Sequence, residues 1–222
     1  MDTLRVTVDI VIFTVREGLL QVLLVKRGVP PFEGRYAIPG GFLREGESLE
    51  EAALRELYEE AGVRNVFLEQ LYTFGEPKRD PRGRVITVAY YALIVSDKLS
   101  LVAGADAAEA QWFRANDLPP LAFDHKSILD YAIERLRNKL EYTTVGFQLL
   151  PEKFTLGELQ AVYEAILGRH LDKRNFRRKI ALLKILKPLR ELQHTGRKPA
   201  QLFRFAASRF EKLKDKGILF PF

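Results

Sequence analysis

The sequence predicts an α/β (α+β) domain followed by a smaller, mainly helical domain, and three observations support this prediction. Apolar, β-branched runs of the first half are bounded by turn signals and flank a helix. From Leu150 onward the pattern changes to two short helices and a hairpin. The net charge of +6 is divided unevenly, with 18 Lys/Arg against 22 Asp/Glu in residues 1–145 and 17 against 7 in residues 146–222. We therefore place the two domains at residues 1–147 and 148–222.

Apolar runs of the first half are predicted to form the strands of the first domain. The tripeptide Arg16-Glu17-Gly18 between the first two runs indicates a hairpin. An apolar stripe at helical spacing predicts a later helix that has Asp124 as its cap. We expect His125 to make a hydrogen bond at the start of this helix and not to act in catalysis. The predicted strands cover Val6 to Val15, Leu19 to Val25, Val66 to Phe74, Val85 to Val95 and the residues around Trp112.

The segment between Ser48 and Gly62 is a predicted helix, because Ser48 and Glu51 form a capping box and Gly62 is a typical C-terminal residue. At about 100° per residue, three glutamates share one quadrant of its surface and four apolar residues share another, which we expect to face the core. Acidic residues alone are equally consistent with an ordinary solvated helix. Neighbouring carboxylates repel each other, however, which favours a bound cation such as Mg²⁺ or Mn²⁺. The glutamates are Glu56, Glu59 and Glu60, and the apolar residues are Leu54, Leu57, Tyr58 and Ala61.

The spacing of the residues around this helix is more specific than its composition. Gly41, Glu47 and the run from Arg55 to Val63 resemble the signature of the Nudix hydrolases at every fixed position. The resemblance implies a Nudix sandwich, which is a mixed β-sheet between helices, and carboxylates that bind metal ions and activate water at a diphosphate. The metal ligands implied in this way are Glu56, Glu59, Glu60 and Gly40, and the implied catalytic residues are Glu47, Arg55, Glu59 and Glu109. Glu109 is the candidate for the general base or for an extra metal contact, and an exposed side chain without a role is the alternative.

A second cluster of charge lies in the loop from Gly75 to Arg84, which is rich in proline, glycine and arginine. Closely spaced arginines can clamp phosphates or stack on a base, although a solvated hairpin tip explains the composition equally well. The position of Pro77 beyond the acidic motif resembles the Nudix branch that recognises ADP-ribose. The predicted ligand-binding residues are Arg27, Arg79, Arg82, Arg84 and Phe42.

Two consecutive helices are predicted in the basic second half. Thr155 and Glu158 form a capping box for the first helix, which ends at Gly168. Asp172 is the predicted cap of the second helix, Lys173 to Leu183. Two helices joined by a tight turn, with arginines near the start of the second, are typical of a helix-turn-helix. The buried stripe of the second helix is predicted to be Phe176, Ile180 and Leu183.

A hairpin with a basic tip follows between Leu189 and Phe205, and it is typical of the wing of a winged helix. Arginine can bind guanine edges while other cations hold phosphates, so the pattern predicts binding to double-stranded DNA. An interaction domain, or a basic tail that only aids solubility, is the alternative interpretation. The predicted DNA-binding residues are Lys173, Arg174, Asn175, Arg177, Arg178, Arg197 and Lys198.

The order of these segments along nearly the whole chain resembles the Nudix-related transcriptional regulators of bacterial NAD metabolism. The resemblance implies a homodimer that senses ADP-ribose or a related nucleotide and holds a palindromic operator until the ligand binds. Because the acidic motif is complete, hydrolysis of ADP-ribose at the same site stays open. The alternative hypothesis is a metal-dependent ADP-ribose pyrophosphatase whose C-terminal domain serves dimerisation or protein interaction.

The composition excludes several classes of protein. The chain contains no cysteine, which excludes disulfides, thiolate catalysis and cysteine-bound zinc. The N-terminus lacks a basic segment followed by an apolar run, and no apolar run approaches the ~20 residues that span a bilayer. We therefore expect a cytoplasmic protein that does not insert into membranes.

Overall fold

The computed structural model describes residues 4–62, 64, 66–96, 110–194 and 199–214. The chain divides into two compact units, the first made of the chain up to Thr14 with Leu20–Arg135 and the second of Val15–Leu19 with the chain from Leu136 onward. The domain boundary after residue 147 stays a prediction. None of the helices within the described ranges is both long enough and apolar enough to cross a bilayer.

The larger sheet is mixed, as predicted. Its seven strands in the described residues are β1 (Arg5–Arg16), β2 (Leu19–Lys26), β3 (Tyr36–Ala37), β4 (Gly40–Phe42), β5 (Phe67–Phe74), β6 (Val85–Leu93) and β7 (Ala110–Arg114). The strands β3, β2, β1, β6 and β5 are neighbours in that order, while β4 pairs with β1 and β7 with β2. The β1–β6 pair is parallel, and the pairs β1–β4, β2–β3, β2–β7 and β5–β6 are antiparallel. Each predicted strand is present, and its ends differ from the prediction by at most two residues.

The two central strands β1 and β6 explain why this sheet forms. Eight of the twelve residues of β1 and eight of the nine residues of β6 are buried, so both faces of these strands are covered by the protein. Val8, Ile10 and Ile12 of β1 pack in one core cluster with Leu57 of the acidic helix. The sheet thus presents β4 and the neighbouring loops beside that helix.

The acidic helix α1 (Leu49–Ala61) has the predicted ends. Ser48 and Glu51 form a reciprocal capping box, and Gly62 adopts the left-handed conformation with φ of 67°. The predicted apolar face is wrong in part, because Leu54 and Tyr58 are exposed at 42% and 47%. The small side chains of Ala52 and Ala53 are buried instead and bring the helix close to the sheet.

The helix after Asp124, α2 (His125–Leu140), buries the predicted stripe of Ile128, Leu129, Ala132, Ile133 and Leu136. Asp124 lies at the predicted cap position, and its carbonyl oxygen accepts from the backbone N–H groups of Ser127 and Ile128. Its carboxylate is used differently, because it accepts two hydrogen bonds from Arg79, at 2.7 and 2.8 Å. The start of α2 is therefore tied to the arginine-rich loop.

The second unit contains the predicted helix pair and wing strands. A 3-10 helix (Val145–Leu149) precedes a three-stranded antiparallel sheet in the described residues, in which β10 (Ala200–Phe205) lies between β8 (Phe154–Thr155) and β9 (Leu186–Gln193). The second helix begins and ends at the predicted residues, and of its predicted stripe Phe176 and Ile180 are buried while Leu183 is half-buried. The elements are β8 (Phe154–Thr155), α3 (Leu156–Leu167), α4 (Lys173–Leu183), β9 (Leu186–Gln193), β10 (Ala200–Phe205) and α5 (Ala207–Lys214).

Candidate functional site

Two glycines bring β4 close to its neighbours. A Cβ atom on Gly40 would overlap the carbonyl oxygen of Val8 and the backbone of Asp9, and one on Gly41 would overlap the carboxylate of Glu56. Only glycine gives the room for this approach, because it has no side chain. The Gly-Gly pair of the motif therefore serves to place the backbone of β4 directly against α1 and β1.

Arg55 is the centre of the hydrogen-bond network of the acidic motif. Its Nε and Nη2 donate to the two carboxylate oxygens of Glu47, at 2.7 and 3.0 Å. Its Nη1 donates to Glu56 at 2.5 Å and to Glu59 at 3.2 Å, and Nη2 also donates to the carbonyl of Phe42 at 3.3 Å. The hydrogen bonds from Arg55 hold the pKa of Glu47 down to about 2. The structure thus brings Glu47 and Arg55 together, and their catalytic role stays a prediction.

The three glutamates of α1 differ in their surroundings. Glu56 is buried, and this burial raises the pKa of its carboxyl group in spite of Arg55. The side chain of Glu59 is 45% exposed and accepts from Arg44 as well as from Arg55. Glu60 lines the same cavity as Gly40 and Gly41. The glutamates therefore lie around β4, but arginines already neutralise two of them.

The donor chemistry of this group fits a hard divalent cation, since carboxylate and carbonyl oxygens are the ligands that such ions prefer. The arrangement of the side chains is not that of a closed metal site. Within the part of the chain that the structure describes, no three His, Cys, Asp or Glu residues are grouped closely enough to hold an ion. A metal ion that binds Glu59 must therefore compete with Arg44 and Arg55.

A cavity beside β4 brings together four of the five predicted ligand residues, Arg27, Phe42, Arg79 and Arg82. The Arg82 guanidinium lies 5.1 Å from the ring centre of Phe42 and 5.2 Å from that of Phe123. Arg27 lies 4.8 Å from the Phe123 ring, so two arginines share one aromatic side chain. Burial lowers the pKa of Arg27, and the nearby charge of Arg82 adds to the effect.

Arg84 lies elsewhere among the described residues. Its Nη1 donates to the carbonyl oxygen of Gly75 at 2.6 Å and closes the base of the arginine-rich loop, and it is not among the residues that line the cavity. Its part in ligand binding stays a prediction. In this structure its side chain stabilises the arginine-rich loop through the hydrogen bond to Gly75.

Asp80 holds Arg82 in place and was not singled out from the sequence. It accepts from the backbone N–H of Arg82 at 2.9 Å and from its Nη2 at 2.6 Å. Burial favours a raised pKa for Asp80, but the hydrogen bonds from Arg82 outweigh it and the pKa is lowered. The two-residue spacing in Arg-Asp-Pro-Arg is the signal that could have identified this pair.

Arg79 lines the cavity and is buried, with a side chain that is 4% exposed. Besides its two hydrogen bonds to Asp124, it lies 3.5 Å from a carboxylate oxygen of Asp9. Asp9 and Phe123 were also missed from the sequence, because their role depends on contacts between distant segments. Arg79 is therefore committed to carboxylates of the protein, and only a ligand that competes with Asp124 or Asp9 can engage it.

His125 makes the hydrogen bond that was predicted for the start of α2. Its Nδ1 accepts from the backbone N–H of Ile38 at 2.9 Å, and its Nε2 lies 3.8 Å from Asp9. Complete burial lowers the pKa of this imidazole below 6.5. His125 is thus a neutral side chain that joins α2 to the segment between β3 and β4.

We expect this histidine to make folding sensitive to acid. The unfolded chain protonates His125 near pH 6.5, whereas the folded protein resists protonation because its pKa is lowered. The unfolded state therefore binds more protons below that pH, and the free energy of unfolding falls as the pH drops from 7 to 5. Urea unfolding at several pH values measures this. His125→Asn, whose side-chain oxygen can accept from Ile38, is expected to lose part of the pH dependence, and an unchanged slope would contradict the assignment.

Replacing Gly40 by alanine is expected to lower the free energy of unfolding by about 1–3 kcal/mol, because the new methyl group meets backbone that cannot turn away. Gly28→Ala is the matched control, since a Cβ atom on Gly28 meets nothing within 4 Å. Denaturant unfolding of both variants checks the prediction. Equal stability of the two variants would show that β4 moves easily away from β1.

The helix α4 carries the predicted DNA-binding residues of the second unit. Arg174, Arg177 and Arg178 are exposed, and so is Lys173. Asn175 is half-buried, its backbone N–H donates to the capping Asp172, and its side-chain oxygen accepts from Arg178 at 3.0 Å. The helix thus presents a cationic face opposite the buried Phe176 and Ile180. The remaining predicted site residues, Glu109, Arg197 and Lys198, lie outside the described residues.

Comparisons with known proteins cover both halves of the chain. Residues 3–134 match the model of the NUDIX domain, and residues 146–205 match that of the NrtR DNA-binding winged helix domain. The ADPR responsive transcriptional repressor NtrR of Acinetobacter baylyi is 39% identical over 219 residues, which cover 97% of this chain and 85% of that protein. The ADP-ribose pyrophosphatase of Methanocaldococcus jannaschii is 45% identical over 112 residues, which cover 50% of this chain and 65% of that protein.

Solved structures show the same two-part similarity. The crystal structure of Shewanella oneidensis NrtR complexed with a 27mer DNA superposes with a TM-score of 0.81 at 38% identity, covering 93% of this chain and 95% of that one. The NUDIX domain of the same protein, complexed with ADP ribose, superposes with a TM-score of 0.57 at 41% identity. This second match covers 61% of this chain and 90% of that one.

Proposed function

The chain belongs to the NrtR family, in which a Nudix domain is followed by a winged helix domain, and we propose that it is a transcriptional repressor that responds to ADP-ribose. The observation that carries this proposal is the presence, in one chain, of an arginine- and aromatic-lined cavity and of a helix with an exposed cationic face. The similarity to the A. baylyi repressor extends over both features. The first domain is the sensor, and the second domain binds double-stranded DNA.

The cavity has the chemistry to bind a nucleotide sugar. The guanidinium groups of Arg27 and Arg82 supply positive charge for the diphosphate, and arginine suits this role because it can donate two parallel hydrogen bonds to phosphate oxygens. The rings of Phe42 and Phe123 offer flat apolar faces to a base. Arg82 lies against both rings, so a base that stacks there has to move its side chain.

DNA binding is assigned to the exposed face of α4 and to the wing. Arg174 and Arg177 lie three residues apart on one side of the helix, and the opposite side is anchored by Phe176 and Ile180. Inserted into a major groove, such a helix places its N-terminal residues at base edges while other cations contact phosphates. A homodimer binds two half-sites of a palindromic operator. ADP-ribose releases the operator if it binds more tightly to a conformation with weaker DNA affinity.

Hydrolysis of ADP-ribose is the second candidate function, and it is compatible with the first. The intact Arg55–Glu47 pair and the full set of α1 glutamates favour it, as does the identity to the M. jannaschii pyrophosphatase. Glu56, Glu59, Glu60 and the Gly40 carbonyl would hold Mg²⁺ or Mn²⁺, and the ion would supply charge neutralisation and an activated water at the diphosphate. Arg55 orients Glu47 and Glu56, and Glu109 is the candidate general base.

Chromatography of ADP-ribose incubated with the protein and Mg²⁺ or Mn²⁺ tests this second function. We expect AMP and ribose 5-phosphate, and we expect Glu59→Gln to reduce their formation by at least about 100-fold, since a lost metal ligand removes charge stabilisation. Lys126→Ala, which removes a charge of an exposed ion pair with Asp130, is the control. Absence of AMP and ribose 5-phosphate with both metals would contradict the hydrolase function and leave ligand sensing as the function of the first domain.

A further inference from the structure

The turn between α3 and α4 is held by two polar side chains that neither the motif nor the cavity explains. Glu164 Oε1 accepts from the backbone N–H of Leu171 at 2.8 Å and from Nε2 of Gln160 at 2.9 Å. The same Nε2 of Gln160 donates to the carbonyl oxygen of Leu171 at 3.0 Å. Gln160 and Glu164, which lie one turn apart on α3, therefore form hydrogen bonds with both the N–H and the carbonyl oxygen of Leu171.

Leu171 lies directly before the N-cap residue of α4. Asp172, the next residue, is the N-cap, and its carboxylate accepts from the N–H of Asn175 at 2.8 Å. At the other side of the turn, the carbonyl oxygen of Glu164 accepts from Gly168, which ends α3 with φ of 70°. Glu164 thus takes part both in ending the first helix and in placing the beginning of the second.

The other anchor of α4 is its buried apolar stripe. Phe176 and Ile180 are buried on one stripe, and Phe176 packs edge-on against Tyr163 with ring centres 5.5 Å apart. Packing of helix surfaces sets a crossing angle only within roughly 15–20°, so it leaves room for a smaller change of tilt. The first residue of α4 lies about 10 Å from Ile180 at 1.5 Å per residue, so a tilt of ~10° about Ile180 moves the N-terminal residues by about 2 Å. Hydrogen bonds to base edges tolerate much smaller errors.

We propose that Gln160 and Glu164 are positioning residues for DNA recognition, which act by holding the backbone of Leu171 and thereby the direction of α4. This proposal rests on the proposed DNA-binding function. Both side chains are partly buried, with that of Glu164 only 23% exposed, and both form hydrogen bonds with the backbone of Leu171. The hydrogen bond from Leu171 is the main reason that the pKa of Glu164 is lowered, so the carboxylate stays ionised and accepts at neutral pH.

The experiment compares the full-length wild type with Glu164→Ala and Glu164→Gln on two duplexes, one selected by the wild type from random sequence and one of unrelated sequence. We expect Glu164→Ala to bind the selected duplex about 10-fold more weakly than the wild type, equivalent to about 1.4 kcal/mol. Its affinity for the unrelated duplex, and the salt dependence of its binding to that duplex, are expected to remain those of the wild type. Glu164→Gln keeps an oxygen at the same position and is expected to remain within about 3-fold of the wild type. Glu152→Ala, which removes an exposed carboxylate paired with Arg204, controls for the change in charge.

An equal loss on both duplexes, or an equal loss in the alanine and glutamine variants, would overturn the proposal. If Glu164→Ala lacks a cooperative thermal transition, Gln160→Ala takes its place with the same expected loss of preference. Amide hydrogen exchange in the DNA-free protein tests the contact independently: the N–H of Leu171 is expected to exchange faster in Glu164→Ala and not in Glu152→Ala. A wild type that selects no sequence would contradict the DNA-binding function, whereas unchanged exchange at Leu171 would contradict only the positioning role.

Discussion

Replacing Arg174 and Arg177 together by alanine is expected to lower the affinity for operator DNA by about 100-fold or more at physiological salt. Both side chains are exposed on the N-terminal half of α4, where a helix in the major groove contacts bases and phosphates. Each base contact of an arginine contributes about 1–3 kcal/mol, and each lost phosphate contact reduces the slope of log affinity against log salt by about one. Fluorescence anisotropy of a labelled duplex over a series of salt concentrations measures both quantities.

Arg114→Ala is the matched control, because Arg114 is an exposed arginine on β7, far along the chain from the winged helix. We expect its affinity and salt slope to remain within about twofold of the wild type, since isolated surface charges act weakly at physiological salt. Equal losses in the control and in the double variant would mean that general positive charge, and not the face of α4, accounts for DNA binding.

Replacing Arg79 by methionine is expected to lower the free energy of unfolding by about 3–5 kcal/mol. The substitution removes the cation from a buried group in which Asp124 accepts two hydrogen bonds and Asp9 lies nearby, so it leaves carboxylates without a counter-ion. Methionine fills much of the same volume, which limits the effect of a cavity. Urea unfolding at pH 7 gives the change in free energy.

Lys126→Ala provides the comparison for Arg79→Met within the same region. Lys126 also pairs with an aspartate, Asp130, but both side chains are more than half exposed, at 61% and 56%. Surface ion pairs contribute about 0–1 kcal/mol, so this variant should unfold nearly as the wild type does. If Arg79→Met is as stable as Lys126→Ala, Arg79 is not a structural counter-ion, and its assignment as a ligand-binding residue becomes the stronger interpretation.

Local signals in the sequence were sufficient to predict several elements to the residue. The bounds of α4 follow from Asp172, whose carboxylate caps the helix, and from the spacing of Phe176 and Ile180. The capping boxes at Ser48 and Thr155 are likewise present. These contacts join residues three or four positions apart, and a local pattern determines them.

Contacts between distant segments limited the prediction of the candidate site. The apolar face of α1 was wrong at Leu54 and Tyr58, because periodicity alone does not show that small Ala52 and Ala53 allow the closest approach to the sheet. Arg79 was predicted to meet ligand, but its neighbour Asp124 lies 45 positions later in the chain. Only the fold reveals that this arginine already has a counter-ion.

The central proposal, that one chain joins a nucleotide sensor to a DNA-binding domain, is tested most directly by one titration. The labelled operator duplex bound to the full-length protein is titrated with ADP-ribose, and the nucleotide in the same sample is analysed by chromatography at each point. Anisotropy is expected to fall to that of free DNA as ADP-ribose saturates the protein, and to recover with time only where AMP and ribose 5-phosphate accumulate. Anisotropy that stays constant at ADP-ribose concentrations shown by calorimetry to saturate the protein would contradict the proposal.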